Sequence, residues 1–162
     1  MESSIHLGSS RLLISSSLGS EFAGLLEQDE QIEVSDSKLF DRIKAAVNKL
    51  QRGKHFIENF PSNESGKLIA KTLRNVSFDP NLILGVNISK IEEPDAKKSL
   101  AVIEKSLGLP DGSGASAVGD RMVGRDFCVV VLGLKSLSDD EKPKMFSFLK
   151  KISSSAGVFV TD

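Results

Sequence analysis

The chain has 162 residues, 40% hydrophobic and 27% charged, which predicts one domain with a core of its own and excludes wholesale disorder. A formal net charge of −1 gives no global pull toward nucleic acid or membrane, so any such attraction must come from a local patch. The single cysteine, Cys128, excludes an internal disulfide framework and a multi-cysteine zinc site.

Residues 1–20 are Ser-rich around two short apolar pieces, 5–7 and 12–14, and read as an arm rather than a core element. They lack a basic n-region and a sustained apolar run, so they do not read as a signal peptide. No stretch approaches the roughly 20 apolar residues that a bilayer span needs. The expectation is an intracellular, cytoplasmic protein, with a nuclear location left open.

Residues 21–36 carry six acids and no Lys or Arg. Within them Phe22, Leu25 and Leu26 make one apolar turn after Ser20. The sign then reverses: residues 37–76 hold nine basic side chains against three acidic ones. The stretch 36–52 is the clearest helix. Ser35 suits its N-cap, Leu39, Ile43, Ala46, Val47 and Leu50 recur at helical spacing, and Gly53 supplies the stop. At roughly 100° per residue, Lys38, Arg42, Lys49 and Arg52 project within about 80° of one another and about 120° from the apolar stripe. After Gly53, the piece 54–60 ends at Pro61 and offers Phe56, Ile57 and Phe60 for packing. A second helix is predicted at 64–76, where Ile69, Leu73 and Val76 form one stripe and Lys67, Lys71 and Arg74 another.

Asp79-Pro80 makes a good N-cap and first helical position, which predicts a short helix over 80–88; the alternation there also permits a strand. Ala96, Leu100, Ile103 and Leu107 predict a helix over 93–107, with Pro94 in its first turn and Gly108 as its stop. Residues 108–116 read as a loop. The greasiest run, FCVVVLGL, lies within 117–137. Its Val cluster argues for a buried strand. Against that, Val123, Phe127, Val130, Leu134 and Leu137 keep a helical period over a longer span, and a central buried helix is preferred. The last helix, 138–154, opens on a Ser138–Glu141 capping-box spacing and turns Met145, Phe146, Leu149 and Ile152 inward, with Pro143 moving its start a residue or two later. The tail 158–160 is a strand only if the Val run is one.

The fold expected from these elements is mainly α: a compact single-domain helical bundle (36–162) behind a short N-terminal arm (1–35). The alternative is α+β ending in a β-α-β unit.

Catalytic chemistry is sparse. His6 and His55 are the only histidines, and His55 reads as a surface or core-edge residue. Cys128, between Phe127 and Val129, reads as a buried inert thiol, since reactive cysteines need an accessible, electropositive setting. Ser65-Gly66-Lys67-Leu68 has the Gly-Lys pair of a phosphate loop. Pro61 stands where that motif's first Gly belongs, however, and Leu68 replaces its Mg²⁺-binding hydroxyl, so the match is rejected. Gly112, Gly114 and Gly119 do not make a dinucleotide fingerprint, and residues 27–36 lack the spacing of a calcium loop. No catalytic residue, metal or cofactor is assigned, and the protein is not expected to be an enzyme.

The basic stripes remain. Phosphate backbones are bound by several Lys or Arg on one surface, so Lys38, Arg42, Lys49, Arg52, Lys67, Lys71 and Arg74 are the candidate nucleic-acid-binding residues. RNA or another polyanion is the expected partner, bound without catalysis by a homo-oligomeric regulatory or nucleoprotein-associated protein. The alternative is a protein–protein adaptor or oligomerising cofactor whose stripe meets an acidic partner. Ser136 and Ser138 stand before three acids and read as capping residues, with phosphorylation as the other reading. In texture (helices, a Ser-rich start, no Trp or Tyr) the chain is similar to small helical domains of viral transcription cofactors and nucleoproteins, a likeness that no motif carries.

Overall fold

A computed structural model describes residues 37–61 and 64–162. The predicted arm (1–35), its apolar turn and the Ser35 cap lie outside the described residues. In chain order the elements are α1 (Ser37–Gln51), β1 (Phe56–Phe60), α2 (Glu64–Asn75), β2 (Ile83–Asn87), α3 (Ala96–Ser106), α4 (Ala115–Met122), β3 (Phe127–Leu132), α5 (Glu141–Ile152) and β4 (Ala156–Thr161). Short 3-10 turns occupy Pro80–Leu82, Ile88–Lys90 and Leu134–Ser136. The four strands form one sheet in the order β1-β4-β3-β2, parallel throughout.

This overturns the helical bundle: the domain is α/β. Four of the expected helices, 36–52, 64–76, 93–107 and 138–154, do form, as α1, α2, α3 and α5. In α1 the buried set is Leu39, Ile43, Ala46, Val47 and Leu50, the predicted stripe. Gly53, at φ +73°, ends it: Lys54 N–H donates to Lys49 O and Gly53 N–H to Leu50 O, both at 3.0 Å, the paired bonds of a left-handed helix stop. Helix α3 starts two residues after Pro94, where the Asp95 carboxylate accepts from Lys98 N–H at 2.7 Å. The predicted capping box before α5 does not form: that helix begins at Glu141, with no side-chain bond from its cap residue Asp140.

Strands β2, β3 and β4 lack a strand signal for one physical reason. A parallel sheet is covered on both faces, so its strands are apolar on both sides and lose the period-2 signal that marks a half-exposed strand. Strand β3 is the clearest case, buried from Phe127 to Val131. The expected central helix over 117–137 is instead α4, a turn, β3 and a 3-10 turn. Val123, which carried the helical period, is 67% exposed in the turn between α4 and β3. The 80–88 segment likewise divides into a 3-10 turn and β2. The other reading of the C-terminal third holds: β3, α5 and β4 form a β-α-β unit, and the tail is a strand.

Alternate side chains feed two cores. Val129, Val131, Val158 and Val160 face α3, α4 and α5 on one side, while Cys128, Val130 and Phe159 face α1 and α2 on the other. The chain therefore first crosses the sheet from β1 to β2 with α2 on one face, then steps back β2→β3→β4 with its helices on the other. Reversing direction and face together keeps one hand for every crossover, in accord with the strong bias toward right-handed connections.

Candidate functional site

Open parallel α/β sheets bind ligands beyond the carboxyl ends of their strands, where the order of connections reverses. Here that place lies between β1 and β4, because β1 is the strand whose connection departs over the opposite face. The other end of the same edge is stitched shut. Asn87 Oδ1 accepts from Ser89 N–H at 3.2 Å and from the Ser89 hydroxyl at 2.5 Å. Gly133, at φ +76°, packs so close that a Cβ would lie 3.0 Å from Ser89 N, and only glycine adopts that conformation without strain.

At the reversal point β1 ends on Phe60-Pro61 and α2 begins at Glu64. Residues 62–63, which join them, lie outside the described residues. The Ser65 hydroxyl donates to the Pro61 carbonyl, tying the first turn of α2 back to the end of β1. Gly66 is buried, and a Cβ there would lie 3.3 Å from Leu132 Cδ2, so the first turn rests closely on β3. Lys67 is exposed beside it, and Leu68 points into the core at 3% exposure. Ser65-Gly66-Lys67 thus lies in the first turn of a helix that follows a strand, at the carboxyl edge of the sheet. Sequence matching discarded it on Pro61 and Leu68. Those two departures from the motif stand; what the sequence does not declare is that FIENF is a strand.

The predicted cations divide into three groups. Lys38, Lys49, Arg52 and Lys67 are exposed. Arg42 is committed: it pairs with Glu58 at 3.1 Å, donates to the Asn59 carbonyl at 2.9 Å, and lies 4.9 Å above the Phe60 ring. It braces the end of β1 against α1. Lys71 and Arg74 are half-buried and already engaged, with Lys71 sitting 5.8 Å over Phe40. The seven predicted residues therefore do not form one free surface.

Cys128 is fully buried, and burial pushes its thiol far above the ordinary range, while His55 is exposed. No group of three or more metal-ligating side chains occurs among the described residues. A groove of about 440 Å³ between α3 and α5 is lined by Asp95, Leu100, Glu104, Glu141 and Phe148. All three of its carboxylates serve the fold, Asp95 as the N-cap of α3. Glu104, 2% exposed, accepts from Gly112 N–H at 3.1 Å and Gly114 N–H at 2.6 Å, fastening the 108–116 loop. Glu141 accepts from Ala96 N–H at 2.9 Å, capping α3 from a neighbouring helix; that bond, with help from Lys144, holds its carboxyl below the usual range.

No family model, curated protein or solved structure matches the chain. Among the described residues no helix is long and apolar enough to cross a membrane.

Proposed function

We propose that this domain binds a phosphate-bearing small molecule, of the nucleoside-phosphate class, at the carboxyl edge between β1 and α2, and does not hydrolyse it. The observation that carries the reading is the position of Ser65-Gly66-Lys67, opening a helix directly after a strand at the switch point of a parallel sheet. The first amides of a helix lack intrahelical partners and sit at the positive end of its dipole, which suits an anion. Lys67 adds a full charge there.

The same edge argues against phosphoryl transfer. That chemistry uses a hydroxyl after the loop lysine and a carboxylate on a neighbouring strand to hold Mg²⁺. Here Leu68 takes the hydroxyl's place inside the core, and β3 ends on Leu132-Gly133. Binding should therefore be independent of Mg²⁺. The test is equilibrium titration of ADP, ATP and pyrophosphate with and without Mg²⁺, on wild type and Lys67→Ala. The expected outcome is saturable binding unchanged by Mg²⁺ and weakened about tenfold by Lys67→Ala, equivalent to about 1.4 kcal/mol. Mg²⁺-dependent binding, phosphate release from ATP, or no binding would refute it.

A second reading keeps the expected polyanion, with RNA laid along the outward side of α1. The four exposed cations favour it; the loss of Arg42 to Glu58 weakens it. Its mark is retention of poly(U) that falls steeply with salt and disappears when Lys38, Lys49 and Arg52 are changed to Glu.

A further inference from the structure

The outward side of α1 presents Lys38, Lys49 and Arg52, with Lys67 exposed at the start of the adjoining α2. Among the described residues none of these four forms an ion pair, whereas Arg42 and Lys44 on the same helix are held by Glu58 and Asp41. Directly before α1 the sequence supplies the opposite charge: Glu21, Glu27, Asp29, Glu30, Glu33 and Asp36, with no Lys or Arg between them. We propose that the outward face of α1 is a docking surface for the chain's own acidic segment, residues 21–36.

Reach, charge and tethering all favour this occupant. From Lys38 to Arg52 is about 21 Å along the helix at roughly 1.5 Å per residue. An extended chain covers roughly 3.3–3.6 Å per residue, so about seven of the segment's residues span the row after the chain folds back at Ser37. The acids at 27, 29, 30 and 33 lie within that reach. Single exposed ion pairs are weak and screened by salt. A short tether raises the local concentration of the segment to the millimolar range, which makes several weak pairs sufficient. An external polyanion has no tether and meets a chain whose net charge is −1. The proposal depends on the side of α1 alone and stands or falls separately from the phosphate edge.

The test uses the full chain. Gln28→Cys supplies a single reactive thiol for a nitroxide label, since Cys128 is completely buried. Paramagnetic broadening of backbone amides is then read by NMR. At low salt the amides of α1 from Lys38 to Lys49 should broaden strongly and those of α3 should not. The broadening should vanish near about 1 M salt, where the Debye length is about 3 Å. It should also vanish when Glu27, Asp29, Glu30 and Glu33 are changed together to Gln, Asn, Gln and Gln, a variant that leaves every described residue intact. Poly(U) should bind that neutralised variant several-fold more tightly than wild type. The proposal is overturned if α1 is not broadened at low salt, if broadening survives salt and neutralisation, or if it is lost on dilution and so arises between molecules. Equal poly(U) affinity for both forms would place RNA, not the acidic segment, on this face.

Discussion

Phe159→Ala is expected to cost about 3–5 kcal/mol of unfolding free energy, a fall of about 6–20 °C in Tm. Phe159 is completely buried at the middle of β4. Its ring meets Phe56 edge-on at 5.3 Å between centroids and stacks on Phe60 at 5.9 Å, so three of the chain's nine Phe residues form one cluster between the sheet and α1. The site has little freedom to collapse. Leu50 and Val130 belong to the same core, and β4 is fixed by strands on both sides. Chemical denaturation of wild type and variant measures the cost directly. A loss below about 1 kcal/mol is incompatible with a fully packed ring at this position.

The second large effect comes from adding atoms. Gly157 precedes Phe159 by two residues and faces the same core, in register with Phe56 on one side and Cys128 on the other. A Cβ there would lie 2.8 Å from Phe56 Cε2 and 2.9 Å from Leu50 Cδ1, closer than real contacts allow. Gly157→Val is therefore expected to lose about 1–3 kcal/mol through overpacking, even though Val suits a strand better than Gly by up to about 1 kcal/mol. The steric term wins because Leu50 is buried in the core and Val adds two methyl groups beyond the Cβ. Gly157→Ala should lose less, since Phe56 is only partly buried and can shift at its rim. A Val variant as stable as wild type would mean that α1 does not press onto β4 as described.

How far the sequence reveals this fold depends on how each element meets water. The helix α1 exposes one side, so its buried stripe and its cations separate cleanly at helical spacing, and the stripe was legible residue by residue. The strands β2, β3 and β4 expose almost nothing, so FCVVVL carried no alternation and could be fitted by a helical period borrowed from exposed Val123 and turn residues. The site suffered in turn. Ser65-Gly66-Lys67 has meaning as a candidate anion cradle only once residues 56–60 are known to be a strand, and the Phe-rich FIENF does not declare itself. Charge was legible as composition but not as partnership. Nothing in the sequence told that Arg42 would reach Glu58, sixteen residues away, while Lys38 and Lys49 stayed exposed.

The binding claim is tested most directly by mapping amide shifts by NMR as pyrophosphate is added in the absence of divalent metal. Saturable shifts centred on Gly66, Lys67 and Leu68, needing about tenfold more pyrophosphate in Lys67→Ala, are the predicted result. Shifts confined to the outward side of α1, or none up to about 10 mM ligand (weaker than about −2.7 kcal/mol), would contradict it.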